Sequence, residues 1–119
     1  MSIRILVADD DPLMRVFANV SLTDVAETVE AADGTEALHL LREQHFGLVL
    51  LDWDMPGQNG VEILKALREQ GCTTPVIMVT AKNERGNVLQ AIHAGASDYL
   101  IKPFEPNILR EKVEKWLAA

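Results

Sequence analysis

Apolar and polar residues alternate along this chain on two length scales. Residues 3–8 and 48–51 are short, mostly apolar runs that end in acidic residues. They are too short for helices, and their continuity predicts strands buried in a parallel sheet. Residues 76–80 form a third run of the same kind. Two further strands are marked by their boundaries: residues 27–31 precede Asp33-Gly34, and residues 97–101 lie between Gly95 and Pro103.

Between these segments the spacing becomes helical. The first helix opens with Asp11 as N-cap and Pro12 at the first helical position, with Leu13, Phe17 and Val20 on one face. A second begins at Asp33, where Glu36 is placed to complete a capping-box-like arrangement and Ala37, Leu38 and Leu41 form the apolar stripe. The third opens at Asn59, carries Glu62 three residues on, turns Val61, Leu64 and Leu67 inward and stops near Gly71. A fourth is expected over residues 85–94. The last follows Glu105-Pro106 and buries Leu109, Val113 and Trp116. Strands alternating regularly with helices through short loops predict an α/β fold with a doubly wound parallel sheet of five strands, flanked by five helices on both faces. No internal repeat, low-complexity segment or linker interrupts the pattern.

Composition narrows the function classes. With 119 residues, 48% hydrophobic and 24% charged, the chain suits one domain over residues 1–119. A formal net charge of −7 argues against direct nucleic-acid binding, which draws on surplus Lys and Arg. The lone Cys72 supplies neither an internal disulfide nor a Cys-rich zinc site and reads as structural. No apolar run approaches the roughly 18 residues of a membrane span, and the N-terminus lacks a secretory pattern. The expected setting is the cytoplasm, without membrane insertion. The chain ends just after its last helix, which suits a stand-alone protein or a domain excised from a longer one.

In such folds ligands bind beyond the carboxyl ends of the strands, where the strand order reverses. The residues expected there are Asp9 and Asp10 after the first strand, Asp52 after the third, Thr80 at the end of the fourth and Lys102 after the fifth. Three carboxylates about 5 Å apart repel by about 3 kcal/mol per pair at an effective dielectric of ~20. A cation would relieve them, and oxygen ligands without His or Cys favour Mg²⁺ beside a phosphate. Phosphoryl transfer needs a nucleophile, neutralising charge and in-line positioning. Asp52 would be the nucleophile, giving an acyl phosphate. Asp10 would bind the metal directly, and Asp9 directly or through water. Lys102 would pair with one phosphoryl oxygen and the Thr80 hydroxyl would donate to another after its loop moves.

The runs Ile5-Leu-Val-Ala-Asp-Asp-Asp-Pro12, Leu51-Asp-Trp-Asp-Met-Pro-Gly-Gln-Asn-Gly60, Val79-Thr-Ala81 and Lys102-Pro-Phe104 together resemble the two-component response regulator receiver family, over the whole chain. The resemblance implies strand order 2-1-3-4-5, the order general to that fold and not one read from this chain's spacing. It implies Asp52 as phosphoacceptor, Asp9 and Asp10 as the acidic pair, and the backbone carbonyl of Asp54 as third protein ligand to Mg²⁺. It implies Thr80 and Tyr99 as a switch pair and a cis Lys102-Pro103 bond. A histidine kinase or histidine phosphotransfer protein is the implied donor, with small acyl phosphates as substitutes. A downstream protein or output domain would read the face formed by helix four, strand five and helix five, over residues 91–112.

Each residue also has a plainer reading: Asp9 and Asp10 as helix-capping charge, Thr80 as a strand end, Lys102 as a solvated charge, Tyr99 as a core aromatic. The joint pattern outweighs them. His39, His45 and His93 read as solvated surface residues, and Met14, Met55 and Met78 as packing. Trp53 is expected to set its indole near the metal. Asp54 and Lys82 either pair across the mouth of the site, influencing water access to the acyl phosphate, or are two independent solvated charges. Three other classes fit the sequence less well. A haloacid-dehalogenase-like hydrolase would place its nucleophile on the first strand, follow its lysine with another acidic motif and have room for a cap. A flavin protein would meet repulsion from Asp9, Asp10 and Asp11 at the cofactor phosphate, and a never-phosphorylated binding module would not need the intact acceptor set.

Overall fold

The computed structural model describes residues 3–57, 59–81 and 85–118. In chain order the elements are β1 (Arg4–Ala8), α1 (Pro12–Ser21), β2 (Glu27–Ala31), α2 (Gly34–Glu43), β3 (Leu48–Asp52), α3 (Gly60–Glu69), β4 (Val76–Thr80), α4 (Arg85–Ala94), β5 (Asp98–Ile101) and α5 (Pro106–Ala118). The strands form one parallel sheet in the order β2-β1-β3-β4-β5. This is the expected architecture, and element boundaries differ from the sequence reading by about one residue.

Period-two alternation divides the sheet's side chains between two cores. Ile5, Val7, Leu48, Leu50, Ile77 and Val79 pack with Ala18, Leu22, Leu109 and Val113 on the α1 and α5 side. Leu6, Ala8, Val49, Leu51, Val76 and Met78 pack with residues of α2, α3 and α4 on the other. The continuous apolar runs of β1, β3 and β4 follow from this double coverage.

The helix starts match their caps. Asp11 accepts from the Leu13 N–H at 3.0 Å, Asp33 from the Glu36 N–H at 2.8 Å and Asn59 from the Glu62 N–H at 2.9 Å. Glu36 reaches back to the Ala32 N–H, at 3.5 Å, so its reciprocal bond falls one residue before the cap. The expected inner face of α1 is corrected: Leu13 is 77% exposed and Val20 68%, together with Val16, while Ala18 is buried and Met14 and Phe17 pack against the core. Phe17 is common to the expected and the observed stripe and meets the Phe104 ring edge-on at 5.7 Å, while the rest of the inner face is Met14, Ala18 and Ser21 in place of Leu13 and Val20.

Arg68 ties the far end of the domain together. Its guanidinium donates to the carbonyls of Gly95 at 3.0 Å, Cys72 at 2.9 Å and Thr74 at 2.8 Å, joining the loops after α3 and α4. Gly95 has φ of +108°, and a Cβ there would meet Arg68 Cγ at 2.7 Å, so glycine is required both by conformation and by space. Arg68→Ala strands these acceptors and is expected to lower stability by about 2–3 kcal/mol, read from the urea midpoint.

Candidate functional site

Strand order reverses between β1 and β3: from β1 the chain crosses to β2 on one side, and from β3 to β4 on the other. The carboxyl ends of these two strands therefore open on a crevice, and Asp9 and Asp52 stand at its floor, 2% and 6% exposed. Asp52 is itself the last residue of β3, sharing the alternation of Leu48 and Leu50. Lys102 follows β5 and reaches back across the sheet, its Nζ 2.8 Å from Asp9 Oδ2 and 3.6 Å from Asp52 Oδ1. Asp10 is exposed at the rim. Asp9, Asp10 and Asp52 each offer a carboxylate oxygen within 4.8 Å of the others. Three of the expected site carboxylates and the expected lysine are thus brought together by segments as distant as residues 9 and 102.

Asp9 is gripped on every polar atom. Its N–H donates to the Ala31 carbonyl at 3.0 Å and its Oδ1 accepts from the Asp11 N–H at 2.9 Å. Its Oδ2 takes the Lys102 ammonium, and its carbonyl accepts from Arg15 Nη1 at 2.7 Å. Asp52 is held differently. Burial, followed by the charge of Asp9, pushes its carboxyl up to about 7, with Asp10 adding to the rise and Lys102 and the Asp54 N–H opposing it. For Lys102 burial works to lower the pKa, but the hydrogen bond to Asp9 and the charges of Asp52 and Asp9 outweigh it and the ammonium is raised. The lysine alone leaves the acid cluster short of positive charge. Oxygen-only donors at this spacing fit a hard divalent cation with retained waters, the Mg²⁺ pattern.

Thr80 ends β4, 1% exposed, and its carbonyl accepts from the Lys102 N–H at 2.8 Å. Tyr99 lies opposite Met78 in the β4–β5 register, on the same sheet face as Thr80 two residues along. Burial raises the Tyr99 hydroxyl. Asp54 is exposed in the loop after β3. Lys82, and with it the pairing with Asp54, lies outside the described residues. The Lys102-Pro103 bond is cis. Trp53 is buried and belongs to the cluster on the α2, α3 and α4 side of the sheet. His39, His45 and His93 are exposed, Met55 and Met78 are buried and Cys72 packs against the core.

Sequence reading missed Arg15 and Glu30. Arg15 Nε donates to Glu30 Oε1 at 2.9 Å while its Nη1 holds the Asp9 carbonyl. No spacing rule links positions 15 and 30, which meet only because α1 packs beside β2. An apolar cleft of about 280 Å³ between α1 and the loop after β5 was missed as well; it is lined in part by Met14, Phe17, Pro103 and Phe104 and adjoins Lys102.

The model of the response regulator receiver domain matches residues 5–114. The chain belongs to the response regulator receiver family. This receiver domain is 40% identical over 116 residues to the chemotaxis protein CheY of Pseudomonas aeruginosa, covering 94% of each chain. Among solved structures it resembles the receiver domain of the Francisella response regulator 1452, with TM-score 0.93, 34% identity and coverage of 97% of this chain and 96% of that one. It also resembles the BeF3-activated receiver domain of DrrB from Thermotoga maritima, with TM-score 0.93 and 32% identity over the whole of both chains. As a receiver domain it is a component of two-component signalling, which implies a phosphodonor partner and a downstream target. Receiver domains bind Mg²⁺ through acidic residues, and this one carries an aspartate cluster suited to it. No helix among the described residues is long and apolar enough to cross a membrane.

Proposed function

We propose that this receiver domain takes a phosphoryl group onto Asp52 from a phosphohistidine of a histidine kinase or phosphotransfer protein and converts it into a change of shape. The single observation that carries this reading is a buried carboxylate at the end of β3, 3.6 Å from a lysine ammonium and beside two further aspartates. An ionised Asp52 oxygen attacks phosphorus. The new O–P bond forms as the donor's N–P bond breaks, and that electron pair leaves with the imidazole. Lys102 holds charge on an equatorial oxygen, which requires it to loosen its bond to Asp9.

Asp9, Asp10, Asp52 and the Asp54 carbonyl would hold Mg²⁺, with Asp9 acting through water for as long as its oxygens stay engaged. When bound, the ion supplies positive charge that favours ionised Asp52 and offsets charge on the phosphoryl oxygens. The Thr80 hydroxyl then donates to a phosphoryl oxygen, and Tyr99 turns into the space vacated. Only contacts that differ between the two arrangements shift the population. Leu89, Ile92, Ile101 and Ile108 expose apolar side chains over α4, β5 and the start of α5, which supports this face as the output surface. The proposed compartment is the cytoplasm.

Intact-mass measurement after exposure to acetyl phosphate with Mg²⁺ tests the reading. The parent is expected to gain one phosphoryl group and Asp52→Ala none. An unlabelled parent, also with competent histidine kinases, would leave the fold acting as a protein-binding module.

A further inference from the structure

We infer that Arg15 is a positioning residue for the divalent-cation site, acting through the peptide that joins Asp9 to Asp10. The inference rests on the reading that Asp9, Asp10 and Asp52 hold that cation. Arg15 sits in the first turn of α1, its N–H donating to the Asp11 carbonyl at 3.2 Å. Its side chain is 17% exposed, and its guanidinium makes two directed bonds, Nη1 to the Asp9 carbonyl at 2.7 Å and Nε to Glu30 Oε1 at 2.9 Å.

The geometry matters because a peptide unit is planar. Fixing the Asp9 carbonyl oxygen fixes the plane that carries the Asp10 N–H and directs the Asp10 Cα. Asp10 is the exposed member of the cluster, so backbone orientation is the constraint visible on it, whereas Asp9 is already held at both carboxylate oxygens. The planar guanidinium fork spans two acceptors on different elements, which an ammonium cannot do with the same definition. Glu30, anchored on β2, fixes the far side of that fork and balances its charge.

Charge and position make opposite predictions, so the sign of the effect decides. A cation beside an acidic cluster repels a divalent ion, and its removal should tighten binding if charge were all that mattered. If Arg15 orients the peptide, its removal weakens binding, because the cluster then pays to order a ligand that was preorganised. Groups that orient ligands from outside the coordination sphere typically change metal affinity by about 10-fold or more.

The test is a Mg²⁺ titration of the full chain followed by NMR shifts of the Asp9 to Asp11 amides, well below the unfolding temperature. Arg15→Ala is expected to raise the Mg²⁺ dissociation constant by about 10-fold. Arg15→Met, which retains most of the side-chain volume, should do the same and secures the test if the alanine variant folds poorly. Asn19→Ala is the control: it removes another bond between α1 and β2, the 2.6 Å contact of Asn19 Nδ2 with Thr28 Oγ1, without touching Asp9. It should leave affinity unchanged. Equal or tighter Mg²⁺ binding by Arg15→Ala and Arg15→Met overturns the inference, as does an equal loss in Asn19→Ala. A parent that binds no Mg²⁺ overturns the cation reading beneath it, a separate and distinguishable result.

Discussion

Asp52→Asn is expected to stabilise the metal-free domain by about 2 kcal/mol near pH 8 while abolishing its labelling. In the fold the Asp52 carboxyl is raised from 3.8 to about 7, first by burial and then by the charge of Asp9. A raised acid is protonated more readily in the folded chain than in the unfolded one. Its stabilising contribution is therefore complete below the unfolded value of 3.8 and is lost as pH rises toward about 7. Above that range the folded domain carries an ionised group in a place that disfavours it. A shift of this size corresponds to about 4 kcal/mol before screening, and water at the mouth of the site reduces it to about 2 kcal/mol. Asparagine keeps the shape without the charge. The gap between variant and parent should thus be widest at alkaline pH, close as the buffer is acidified, and narrow when Mg²⁺ is added to the parent. Urea midpoints across that pH range, with and without the ion, measure it. A variant no more stable than its parent in metal-free alkaline buffer would show that Asp52 is better solvated or paired than its burial implies.

Gly60→Ala should produce the other large effect, with the opposite sign. A Cβ at Gly60 would lie 2.3 Å from the Asp52 carbonyl oxygen and 3.0 Å from Trp53 Cα and Met78 Cε. The chain turns so tightly between β3 and α3 that the Gly60 N–H donates to the Trp53 carbonyl at 2.8 Å. Alanine gains up to about 1 kcal/mol of helix propensity over glycine. Overpacking costs about 1–3 kcal/mol, and the upper end applies because two of the three obstructing atoms are backbone. A net loss of about 2 kcal/mol follows, read from the urea midpoint. Because the displaced carbonyl belongs to Asp52, the rate of acyl-phosphate labelling should fall as well, even where the variant is fully folded. Unchanged stability would mean that α3 can slide away from the strand end without loss.

These expectations draw on two kinds of information. The strands of β1, β3 and β4 were legible because each is covered on both faces and so shows as an apolar run. The helix starts were legible because Asp11, Asp33 and Asn59 act locally, within three residues of their partners. The outward face of α1 was not legible. Its apolar positions allow two overlapping stripes, and the one that is buried packs with residues of β1, β5 and α5 that are remote in the chain.

The acidic and basic residues of the site could be named from their positions at strand ends, since parallel strands must deliver those ends to one side of the sheet. Which oxygen each donor reaches is another matter. The grip of Arg15 on Asp9, the choice of Asp9 over Asp52 by Lys102 and the raised carboxyl of Asp52 depend on distances between segments that no spacing along the chain encodes. Sequence by itself determined the element order, the caps and the chemical types gathered at the crevice, because these follow from local geometry and alternation. Tertiary structure alone decided faces, partners and protonation, because desolvation and charge act through space and take their size from neighbours remote in the chain.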